Sequence, residues 1–171
     1  METETLLKVA LITSLSSLLI GIVAIYISIW FFKNRLLNKF QVKWNDNLFF
    51  PILVFGTIVG VGILVSGAVP AISTTLKIAT RNANSSFFAE AFKFISLSAF
   101  IVLAGVLVIN LCSSFIIKSL FDKANLETEI KEGKYAYAII YSALFVALCL
   151  ILKEGVSLLS EILIPFEKIN F

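Results

Sequence analysis

Residues 48–69 read LFFPILVFGTIVGVGILVSGAV, 22 positions without a single charge. As a helix rising about 1.5 Å per residue, such a run reaches about 33 Å, and a hydrocarbon core is about 30 Å thick. Lipid offers no hydrogen-bond partners, so a lone crossing segment must pair its backbone within itself and is helical. Pro70 follows at once and is expected to close the span.

Three other stretches are long and apolar: Leu6 to Phe32, with Lys8 its one charge, Phe94 to Ile117, and Tyr135 to Leu152. The chain is 59% hydrophobic and 15% charged, whereas a soluble domain is about 45–50% apolar and about 25% charged. One small soluble core cannot hide that excess. The fold class expected is an all-α membrane protein, a bundle of four transmembrane helices. The first stretch follows Glu2 and Glu4 rather than a basic segment, and it outruns a signal-peptide core. It is read as a retained helix. Past Lys153 the chain turns amphipathic, with Val156, Leu158, Leu159, Ile162 and Ile164 apolar and Glu154 and Glu161 to one side. This is read as a C-terminal extension of the fourth span.

The spans fall into two halves. A shift of 87 residues lays Ile22 on Ile109, Asn38 on Asn125, Ile52 on Ile139, Val59 on Val146 and Val69 on Val156. Hydropathy and loop lengths match better than the letters. The organisation expected is a first two-helix repeat over 1–79, a connection over 80–92, and a second repeat over 93–171. Each copy makes an even number of crossings, so the two are parallel repeats about an axis along the membrane normal.

Short loops set the orientation. Lys33, Arg35, Lys39 and Lys43 follow the first span, and Lys118, Lys123, Lys131 and Lys134 follow the third. The other side carries Lys8, Lys77, Arg81, Lys93, Lys153 and Lys168 over three longer pieces. The positive-inside rule puts the two compact loops in the cytoplasm and both termini outside.

Several chemistries are excluded. There is no His, so imidazole metal sites and His-based triads are absent. Cys112 and Cys149 stand far apart in apolar runs and form no CxxC pair. No metal, cofactor or catalytic residue is expected. A net charge of +3 is too mild for a nucleic-acid binder; the expected surroundings are membrane lipid.

Small residues mark packing faces. Gly56 and Gly60 make a GxxxG pair, Ser17 with Gly21 a similar one, and Ala143 with Ala147 another. Such pairs let helix backbones approach closely, within one chain or at a seam between subunits. Asn110 lies about two turns inside the third span, where a primary amide seeks Thr57, a serine on another helix, or a polar site. Lys153 and Glu154 fall on Ser66 and Gly67 under the shift, either just inside the boundary or among head groups. Glu161 is two turns beyond Glu154 on the same face.

The stretch Glu129-Ile130-Lys131-Glu132-Gly133-Lys134-Tyr135-Ala136-Tyr137-Ala138 resembles the signature of a duplicated two-helix family of bacterial inner-membrane proteins, the domain of unknown function 350. That signature runs Glu-Ile, two residues, Gly-Asn, then alternate alanines entering a span. Lys134 stands where the family has Asn, and Asn47 is the equivalent position in the first half. The resemblance covers roughly residues 6 to 165. It implies a four-span bundle of two tandem copies in a bacterial inner membrane, and no activity. The expected function is a non-enzymatic homo-oligomeric membrane subunit or scaffold whose cytoplasmic loops contact a protein partner. The alternative is an oligomeric ion channel or small-solute pore.

Overall fold

The computed structural model describes residues 2–34, 48–81, 87–120, 132 and 135–162. Four helices account for nearly all of them: α1 (Glu2–Phe32), α2 (Phe49–Arg81), α3 (Phe87–Leu120) and α4 (Ala136–Ile162). Each contains a stretch long and apolar enough to cross a bilayer. The protein is an integral membrane protein.

Lipid as solvent explains the surface. In the most apolar window of α1 only 22% of residues are buried, and Leu7, Leu11, Leu15, Leu18, Ile22 and Tyr26 lie open. Water would drive such residues inward; hydrocarbon does not. Helix α2 is the hub, touching all three others and packing most extensively on α4. Its central window is half buried. Leu53, Val61, Leu64 and Ala68 of α2 meet Val102, Val106 and Ile109 of α3 and Phe145 of α4 in one core.

Helix α2 does not stop at Pro70 but continues to Arg81. Proline removes one N–H and so frees the carbonyl four residues earlier, yet neighbours and hydroxyls make this tolerable in membrane helices. Pro70 faces outward, and the buried stripe runs on through Ala71, Ile72, Thr75, Leu76 and Ala79. The Thr75 hydroxyl donates to the Ala71 carbonyl at 2.8 Å. The fourth span likewise continues past Leu152 to Ile162 as one helix, with Val156 and Ser160 buried. The amphipathic stretch is therefore the helix's own last turns as far as Ile162; Ile164 lies outside the described residues. Helix α3 starts at Phe87, ahead of the expected Phe94.

Two of the helix limits fall in step. Under the 87-residue shift Phe49, where α2 starts, lands on Ala136, where α4 starts, and the ends of α1 and α3 agree to one residue.

Candidate functional site

The α2–α4 contact is where the sequence's small residues do their packing. A Cβ on Gly56 would overlap Ser142 and lie 2.9 Å from its Cα. One on Gly60 would be 2.7 Å from the Phe145 ring and 3.0 Å from Cys149 Sγ, and one on Gly67 would be 2.6 Å from the Lys153 carbonyl oxygen. Only residues without a side chain let these backbones approach so far. The Ser142 hydroxyl spans the contact, donating to the Ile52 carbonyl at 3.0 Å. Contacts climb both helices together, from Gly56 with Ser142 to Gly67 with Lys153, so α2 and α4 run parallel and level. The Gly56–Gly60 face is thus occupied within the chain, and no second copy fits there.

The other small pairs differ. Gly21 approaches α2 only loosely, with Val65 Cγ2 at 4.0 Å from where a Cβ would stand. Ser17 turns its hydroxyl back to the Thr13 carbonyl at 2.7 Å. Ala143 and Ala147 are exposed. They line an open groove of about 590 Å³ between α4 and α2, together with Ile52, Val59, Ile139 and Val146.

Asn110 is fully buried, and its amide nitrogen donates to Ser28 Oγ at 3.1 Å and to the Val106 carbonyl at 2.9 Å. The partner is a serine on α1, not Thr57, whose hydroxyl is spent on the Leu53 carbonyl at 2.8 Å. Among the described residues neither Asn110 Oδ1 nor Ser113 Oγ has a hydrogen-bond partner. Nothing in the sequence distinguished Ser28 from the other α1 serines until α1 and α3 were set side by side.

Lys153 and Glu154 stand in mid-helix. Lys153 is half-buried, its aliphatic stem laid over Gly67, while Glu154 is exposed. Glu161 is exposed and lies 3.5 Å from the Ser157 hydroxyl. Asn110 and the Glu154–Glu161 stripe are not brought together.

At the other end, where α2 and α4 begin, aromatic rings converge. Phe49 stacks on Tyr137 with centroids 5.8 Å apart, and Phe32 meets Tyr141 edge-on at 4.8 Å. Ala138 is fully buried beside them, while Ala136 is exposed. Sequence reasoning missed this cluster; the pairing of Phe49-Phe50 with Tyr137 and Tyr141 at equivalent span starts was the available signal. Asn47, Glu129, Ile130 and Gly133 lie outside the described residues.

The family description that matches is Domain of Unknown Function (DUF350), over residues 3–156. The chain belongs to the DUF350 family. All of α1, α2 and α3 but the first residue, and α4 as far as Val156, lie within the DUF350 match, so Lys153 and Glu154 fall inside it and Glu161 beyond it. No curated protein and no solved structure shows significant similarity to this chain.

Proposed function

We propose that this DUF350 protein is a non-enzymatic subunit that works as a homo-oligomer in a bacterial inner membrane, with both charged loops in the cytoplasm available to a protein partner. One observation carries the reading. The chain's densest helix contact is spent internally on the glycines of α2, yet α4 still presents a second small-residue face, Ala143 and Ala147, beside an open groove. In hydrocarbon, close packing rather than water drives association, so such a face favours another helix. The sequence has no His, so imidazole acid–base chemistry has no agent in this chain. Sedimentation equilibrium in density-matched detergent tests the reading. Several chain masses are expected; a single chain of 18.9 kDa would refute it.

A second reading, a pore between subunits, is favoured by Lys153 and Glu154 standing within α4 rather than after it. Charges at the margin of low dielectric act strongly on a passing ion. Glu154→Gln should then alter conductance or cation preference in planar bilayers. Absence of current under any gradient would remove this reading and leave the subunit role.

A further inference from the structure

The α2–α4 contact uses different faces of two helices that the 87-residue shift makes equivalent. On α2 the contact is made by Gly56, Gly60 and Gly67; on α4 by Ser142, Phe145, Cys149 and Lys153. The equivalents of the first set are Ala143, Ala147 and Glu154, all exposed. The equivalents of the second are Phe55, Ile58, Gly62 and Ser66, also all exposed. Phe55 is 69% exposed, and a Cβ on Gly62 would meet nothing within 4 Å. A contact between unlike faces of like units is head-to-tail. It leaves one unused face of each kind, and repetition of the same contact closes a ring or runs on as a fibre.

We propose that copies of this chain associate head-to-tail through the same pair of faces, the Ala143–Ala147–Glu154 face of α4 in one copy packing on the Phe55–Gly62–Ser66 face of α2 in the next, at a wider helix separation because Ala143 and Ala147 carry the Cβ atoms that Gly56 and Gly60 lack. The occupant is a second copy because the surface continues an interface already formed inside the chain, in the same parallel orientation. Within the chain Gly60 meets the Phe145 ring and Cys149 Sγ; between chains Ala147 stands opposite their equivalents, Ile58 and Gly62. Glu154 comes level with Ser66 of the next copy, a hydroxyl able to donate to the carboxylate. This deepens the homo-oligomer reading and rests on it.

The geometry also bends the array. At about 100° per residue, the two contact faces on one helix lie about 130° apart. That is close to the corner angle of a ring of roughly six to eight helices, or about three or four chains. The narrow sector between the faces holds Ile52 and Val59 on α2 and Ile139 and Val146 on α4, four of the residues that line the groove. The wide sector of α2 carries Leu64 and Val65, which face α3 and α1. The ring therefore places α2 and α4 inside, α1 and α3 outside, and an apolar wall around the axis.

Disulfide trapping tests this. Gly62→Cys and Ala147→Cys are combined in the full chain carrying Cys112→Ser and Cys149→Ala, and oxidised with copper–phenanthroline in native membranes. A ladder of covalent multimers ending at the ring number is expected from the pair, and none from either single variant. Dimers from Ala147→Cys alone would mean that like faces meet, and would overturn the proposal. No disulfide from the pair, as for a face covered by lipid, would overturn it too. The sedimentation mass of the same background separates the two claims: several chain masses without a disulfide sink this seam and leave the homo-oligomer, whereas one chain mass sinks both.

Discussion

Replacing Gly56 by alanine tests the α2–α4 contact at its tightest point. In an open helix the change gains about 1 kcal/mol, because glycine loses more backbone freedom on folding. Here the added methyl would stand 2.6 Å from Ser142 Oγ and 2.9 Å from Ser142 Cα. Carbon contacts are comfortable at about 3.5–4.0 Å, so α4 must withdraw by roughly 1 Å at this level. The atoms displaced include the Ser142 Cβ and the backbone Cα, which no rotamer change can move aside. Overpacking of this kind costs about 1–3 kcal/mol, and a gap of that size forfeits a quarter to a half of each neighbouring contact. The hydrogen bond from Ser142 to the Ile52 carbonyl lengthens as well. The net expectation is a loss of about 1–2 kcal/mol. Gly155→Ala is the control, since a Cβ there meets nothing within 4 Å. It should be neutral or stabilising by up to about 1 kcal/mol. Unfolding by SDS titration from mild detergent, followed by circular dichroism at fixed protein concentration, compares the two. If Gly56→Ala is as stable as Gly155→Ala, the two backbones are not in contact and the argument fails.

Two further outcomes are expected. Asn110→Ala and Ser28→Ala should each destabilise the fold, with a coupling of about 0.6 kcal/mol and at most about 1.7 kcal/mol in a double-mutant cycle, the range found for hydrogen bonds between membrane helices; strictly additive effects would mean that the 3.1 Å bond contributes nothing. Lys39→Cys in a cysteine-free background should resist an impermeant maleimide added to intact cells, as the Lys and Arg distribution requires; efficient labelling would invert the topology.

The spans were legible in the sequence because uncharged runs of about 18 residues or more have no other comfortable home. Their ends were not. Pro70 is a strong stop signal in water, but its ring faces outward here and the stripe from Ala71 to Ala79 keeps burying, so the helix persists. Lys153 and Glu154 looked like a boundary because charge normally ends a span. One lays its stem over Gly67, the other points outward, and neither interrupts the backbone ladder. Facing was harder still. Helix α1 is apolar on every side, so nothing in its pattern separates lipid from protein. Gly56 and Gly60 announced a close approach but not its partner, since chain and neighbouring subunit offer the same chemistry. Only the set of α4 atoms above those glycines resolved it. Asn110 announced a partner, and Ser28 emerged once α1 and α3 lay side by side.

Native mass spectrometry from lipid nanodiscs, on the unmodified chain and on Ala147→Trp, tests assembly through the open face of α4 most directly. Ala147 is exposed, so the indole has room in the single subunit but none where a second backbone must approach. The unmodified chain should appear as a multiple of 18.9 kDa, about three or four copies, and Ala147→Trp as one chain of unchanged helical content. An unmodified chain of single mass, or an Ala147→Trp variant that keeps the full multiple, would contradict it.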